Sequence, residues 1–204
     1  MTRIEGVPRS KAGPLVRLIY RMTRRRARQI AGGRDLAIEP VEIYAHVPRL
    51  LFGYGMLEQS AAARPRVDEH LRALAVVKSA VVQGCEFCQD IASHEARRAN
   101  ASDEQLLDLH RYRDSEHFDE TERLVLDLAV GMTATPVQVS DELFAALRTH
   151  FDDRQLVELV NLIALENLRS RFNAAFGIGP AGFSEGHACA RMEVPSAQPE
   201  RLLA

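Results

Sequence analysis

An all-α fold follows from three observations on this sequence of 204 residues. Apolar residues recur at three- and four-residue spacing along most of the chain, as one buried face of a helix requires. Ser, Asp or Pro opens these runs, and Gly or Asn closes them. No alternating run is long enough for a strand, since Val137–Val139 is too short and follows Pro136.

The elements follow in order. Residues 1–13 read as a loose N-terminal arm. From Pro14, Leu15, Leu18, Ile19 and Met22 share one stripe, and Gly32-Gly33 ends that helix. Pro40 opens a short helix through Tyr44, and Pro48 a longer one with Leu51, Tyr54 and Leu57 in step. After Pro65, the residues Val67, Leu71, Leu74, Ala75, Val77 and Val81 mark a helix that Gly84 breaks. The next helix spans about Glu86 to Ala99, with Asn100 able to take the left-handed cap. Ser102 and Gln105 form a capping box, and Asp119 and Glu122 open a helix carrying Leu124, Leu128 and Met132. A loop surrounds Pro136, and Ser140 caps the following helix. Asp152 or Asp153 caps the longest apolar run, which Gly177, Gly179 and Pro180 stop. The chain reads as a single domain with a C-terminal tail over 186–204, expected over the surface or on a partner subunit.

Composition narrows the function classes. With 26 basic and 28 acidic residues the net charge is −2, so the chain lacks the basic excess of nucleic-acid binders. The cluster Arg24-Arg25-Arg26, flanked by Arg21 and Arg28, reads as a solvated helix face. No segment approaches the roughly 18 uninterrupted apolar residues of a membrane span, and no apolar stretch of signal-peptide length precedes Pro14. A cytoplasmic location with no membrane partner is the expectation. In a reducing compartment a lone Cys-x-x-Cys is redox-active or metal-binding rather than a staple.

Cys85 and Cys88 are that pair, directly after Gly84. Three residues on a helix turn two side chains to within about 60° of one another. A helix start adds free N–H groups and the positive end of the macrodipole, both of which favour a thiolate. A thiolate with a second thiol one turn away can attack a peroxide or disulfide and then close a bridge. Two other uses stay open. The cysteines could be small buried hydrophobes, or they could join His187 and Cys189 around a tetrahedral zinc.

An apolar helix ending in glycine, followed by Cys-x-x-Cys at the next helix start, resembles the AhpD-like, carboxymuconolactone decarboxylase family. The stretches YAHVPRLLFGYGMLEQ, RVDEHLRALAVVKSAVVQGCEFCQD and LVELVNLIALENLRSRFNAAFGI carry the likeness over roughly residues 40–185. The resemblance implies an AhpD-like helical bundle and a homo-oligomer of two, three or six chains. It also implies reduction of a small hydroperoxide or disulfide through Cys85 and Cys88, with an external thiol reductant and no cofactor or metal. Redox members carry a glutamate twelve residues before the first cysteine and a histidine four after the second; these positions are Ala73 and Ala92 here. Glu69, one turn before Ala73, and His94 are the nearest replacements, so the candidate catalytic set is Cys85, Cys88, Glu69 and His94. His94 lies two residues beyond the relay position, a rotation of about 200° that turns it away from the thiols. His70, Glu95 and Glu166 are further candidates, the last either paired with Arg169 or Arg171 or facing a cavity. Alternatives are a non-redox decarboxylase or lactone-handling enzyme of the same family, and a non-enzymatic helical oligomer with a Cys/His metal site.

Overall fold

A computed structural model describes residues 2–190. Among these the order is α1 (Pro14–Ile30), α2 (Glu39–Tyr44), α3 (Pro48–Ala62), α4 (Glu69–Gln83), α5 (Glu86–Arg98), α6 (Asp103–Asp108) with a 3₁₀ turn (Leu109–Arg111), α7 (Glu120–Thr133), α8 (Asp141–His150) and α9 (Asp153–Phe176), with no strand. The boundaries obey local chemistry. Ser102, Asp119 and Asp152 each accept the N–H of the residue three on, and Gln105, Glu122 and Gln155 reach back in reciprocal capping boxes. Asp152, not Asp153, is therefore the cap of α9. Asn100 takes φ +67° at the end of α5, as its side chain permits.

α4 is the central helix and packs against α5, α7 and α9. One of its faces places Leu74, Val77 and Val81 against Ala92 and Ala96 of α5 and Leu126 of α7. Another places Ala75 against Val125, Leu128 and Ala129 of α7 and Leu159 and Ile163 of α9. A third apolar cluster gathers Val16, Tyr20 and Ala27 of α1, Ile38, Leu51 and Phe183.

Three expectations need correction. The N-terminal arm is not loose: Arg3 N–H donates to Phe176 O at 2.8 Å, Val7 N–H to Glu42 O at 2.9 Å, and the Tyr20 hydroxyl to Val7 O at 2.7 Å. On α1, Val16, Tyr20 and Ala27 face the core, while Leu15, Leu18 and Met22 are exposed. The phenol of Tyr20, fixed by the arm, sets the rotation of the helix, and a periodicity count cannot see that bond. Of the tail, Gly186 and His187 are exposed as expected but Ala190 is buried, and the loop before it buries Phe183 and Ser184; residues 191–204 lie outside the described part. The basic run of α1 is a surface face, with Arg24 paired to Glu42 at 2.9 Å and Arg28 to Asp35 at 3.1 Å.

Candidate redox site

Gly84 determines where the cysteines stand. It takes φ +67°, its N–H donates to Val81 O at 3.1 Å, and the Cys85 N–H donates to Ala80 O at 3.2 Å. This paired closure ends α4 in a residue that needs no Cβ. Gly84→Ala is expected to cost about 1–2 kcal/mol, the strain of a left-handed residue with a side chain; a urea midpoint would register it.

Cys85 is then the N-cap of α5, with extended backbone, and its sulfur accepts the Cys88 N–H at 3.2 Å. Cys88, in the first turn, is bonded to Cys85 as a disulfide with Cα atoms 5.2 Å apart. The bridge spans so few residues that loop-closure entropy gives it only about 2 kcal/mol of stabilisation, so it is a poor staple. Its position at a helix N-terminus suits thiolate chemistry instead. Both cysteines are buried, 3% and 4% exposed, against Ala80 and the half-buried Phe87.

α9 supplies the polar side of the site. The Asn173 Nδ2 lies 3.3 Å from Cys88 Sγ and 3.8 Å from Cys85 Sγ. Two turns earlier on α9 is Glu166, only 2% exposed, whose oxygens accept from Arg169 Nη1 and Ser170 Oγ, each at 3.0 Å. Arg169 also grips Glu58 of α3 through Nε at 2.7 Å and Nη2 at 2.5 Å. Burial raises the Glu166 pKa against the pull of Arg169. Burial acts on Glu58 in the same sense, but there the Arg169 hydrogen bonds and charge prevail and the pKa is lowered. Desolvation opposes the charge of Arg169, yet its two carboxylates outweigh it and raise its pKa.

Arg169→Met is therefore expected to destabilise the fold by about 3 kcal/mol at neutral pH, as loss of one partner of a buried ion pair does. The pH dependence has a definite sign. Stability from a raised carboxyl is complete below its ordinary value of 4.5 and is lost as pH rises through the folded pKa. Without Arg169 that loss grows and Glu58 loses the cation that favoured its ionised form. Denaturant melts should thus show the deficit of the variant shrinking as pH falls toward the ordinary carboxylate range.

The residues expected from sequence fall into two groups. Cys85 and Cys88 come together as anticipated. Glu69 does not join them, because it is exposed in the first turn of α4 while the sulfurs follow the last, about 20 Å of helix away. One turn before Ala73, Glu69 shares its face of α4 but lies still further along the axis from the sulfurs. His94 turns from the sulfurs, its Nε2 meeting Ile30 O at 2.8 Å and its ring lying beside Phe183. His70 bridges Glu122 Oε1 at 2.6 Å and Ala99 O at 3.0 Å, which ties α4 to α7 and to the end of α5. Glu95 is half-buried on α5, and the expected pairing of Glu166 is with Arg169. Ala73 and Ala92 pack in the apolar cluster and offer no relay. His187 is exposed and Cys189 is a free thiol; among the described residues no group of three His, Cys, Asp or Glu side chains is placed to hold a metal.

Sequence reasoning missed two residues. Asn173 carries no local signal, because its partners are cysteines 85 and 88 positions away in the chain. Asp90, the second, is buried. Its Oδ2 accepts the N–H groups of Ala181, Gly182 and Phe183 at 2.7–2.9 Å, and its Oδ1 that of Ser184 at 2.7 Å. Only the paired small residues Ala181-Gly182, which let a loop wrap an anion, hinted at it.

The site is thus a bonded Cys-x-x-Cys at a helix N-terminus inside an all-helical bundle. Residues 45–131 match the carboxymuconolactone decarboxylase family. The chain is 34% identical over 149 residues to the uncharacterised protein YnjA of Escherichia coli (strain K12), covering 71% of this chain and 80% of YnjA. The chain belongs to the carboxymuconolactone decarboxylase family. The fold is shared with the debrominase Bmp8, at TM-score 0.75 and 21% identity over 90% of this chain and 94% of that one. It is shared too with an alkylhydroperoxidase AhpD core, a peroxidase-related protein from Ralstonia eutropha JMP134, at TM-score 0.71 and 18% identity over 88% and 92%. Among the described residues no helix is long and apolar enough to cross a membrane.

Proposed function

We propose that this protein is a thiol-dependent oxidoreductase that reduces small hydroperoxides through Cys85 and Cys88. The observation that supports this most is the Cys85 sulfur serving as N-cap of α5, where the Cys88 N–H and the helix terminus favour its ionised form. In the reduced pair the Cys85 thiolate attacks a peroxide oxygen. An S–O bond forms, the O–O bond breaks, and the alkoxide leaves with a proton as the alcohol. The Cys88 sulfur then attacks the sulfenic sulfur; the S–S bond forms, the S–O bond breaks, and hydroxide leaves with the Cys88 proton as water. Two electrons from an external thiol reductant restore the pair by disulfide exchange. With both cysteines at or below 4% exposure, the substrate must be small.

Turnover should be modest. Acid–base assistance is worth on the order of 100- to 10,000-fold, and the positions that supply it in redox relatives are Ala73 and Ala92. The exposed apolar side chains Leu15, Leu18 and Met22 of α1 and Leu50, Phe52 and Met56 of α3 support assembly into a homo-oligomer. The test is to reduce the protein, remove the reductant and add an alkyl hydroperoxide. One equivalent per chain should be consumed as the Cys85–Cys88 bridge returns, seen by mass; an unmodified dithiol after prolonged exposure would defeat the reading.

A further inference from the structure

Asn173 is placed as no ordinary buried asparagine is. It is 3% exposed, and its side-chain Nδ2 faces the sulfurs of Cys85 and Cys88. Its Oδ1 is buried and, among the described residues, accepts no hydrogen bond. A buried acceptor without a donor is costly, and such orphans call for an explanation in another state of the site. The backbone is well fixed. Asn173 O accepts the Ile178 N–H at 3.0 Å in the closing turn of α9, where Gly177 takes φ +68°. The carboxamide is thus held over the disulfide by a capped helix end.

What the orphan lacks in the oxidised protein is a donor, and reduction creates one. Adding two electrons to the disulfide breaks the S–S bond. One sulfur can then stay ionised while the other takes a proton from solvent as S–H. A thiolate wants N–H donors and a thiol wants an acceptor, and a carboxamide carries one of each. The disulfide sulfurs, by contrast, are weak acceptors and donate nothing. Both ends of Asn173 therefore interact more strongly with the reduced pair than with the bridge.

We propose that Asn173 is the positioning residue of the thiol pair: its Nδ2–H, within 3.8 Å of both sulfurs, stabilises the negative charge of the reduced pair with Cys85 ionised, its Oδ1 is the acceptor for the Cys88 S–H, and it thereby makes the bridge easier to reduce. This rests on the reading of Cys85 and Cys88 as a redox pair and assigns the group that sets their poise. The experiment is equilibration of wild type, Asn173→Ala and Asn173→Asp in glutathione redox buffers, with the dithiol fraction counted after trapping, and thiolate absorbance titrated against pH. Asn173→Asp keeps the shape and carries the test should the alanine variant fold poorly. Removing the carboxamide should favour the disulfide about tenfold, a shift of the potential by about 30 mV to more negative values. Thiolate formation should move to higher pH in both variants, most in Asn173→Asp, where a carboxylate faces the sulfur. Variants that keep the wild-type potential and titration while wild type cycles reversibly would overturn the role of Asn173. A wild-type pair that does not cycle at all would instead sink the redox reading beneath it.

Discussion

Serine in place of Cys85 or Cys88 is expected to abolish catalytic peroxide reduction, leaving the rate of peroxide and reductant in buffer. The two variants should fail differently. Cys88→Ser retains the sulfur that the helix terminus favours, so one equivalent of peroxide should convert Cys85 to a sulfenic acid that a dimedone probe traps. Cys85→Ser removes that sulfur, and Cys88 should label far more slowly. Both variants should fold, since the bridge closes a loop too short to contribute more than about 2 kcal/mol. Unchanged peroxide turnover in both would show that the reaction does not run through these thiols.

Asp90→Ala is expected to have the largest effect on stability, on the order of 5 kcal/mol. Hydrogen bonds to a charged acceptor contribute about 1.5–3 kcal/mol each, and the Asp90 carboxylate takes N–H groups from Ala181, Gly182, Phe183 and Ser184. Phe183 and Ser184 are buried, so their N–H groups lose the carboxylate in a place where water does not readily replace it. Asp90→Asn should recover only part of the loss, because an amide accepts through one oxygen. The readouts are a urea midpoint and proteolysis between residues 181 and 190; a midpoint within 1 kcal/mol of wild type would show that the segment is held elsewhere. Since Asp90 sits on α5 two residues past Cys88, the variant should also perturb peroxide reduction.

The helices were legible because their ends are written in local chemistry. Ser102, Asp119, Ser140 and Asn100 signal within a single turn, and Gly84 placed the cysteines at a helix start before any tertiary contact was known. Leu74, Val77 and Val81 declared the core face of α4 by spacing. What stayed hidden depends on partners distant in sequence. Asn173 meets Cys88 across 85 positions and Asp90 meets Ser184 across 94. The rotation of α1 depends on a phenol reaching back to Val7. Glu69 shares an angular position with Ala73 but sits at the opposite end of α4 from the sulfurs.

The sulfurs lie where the end of α4, the start of α5 and the end of α9 converge, each terminus closed by its own hydrogen bonds. A single residue inserted before any of these caps would swing its side chains by about 100° and slide them by about 1.5 Å. Chain length can therefore drift in the connections around Asp114 or Pro136 without reaching the chemistry. The register of these three helices is what descendants of this sequence must inherit unaltered.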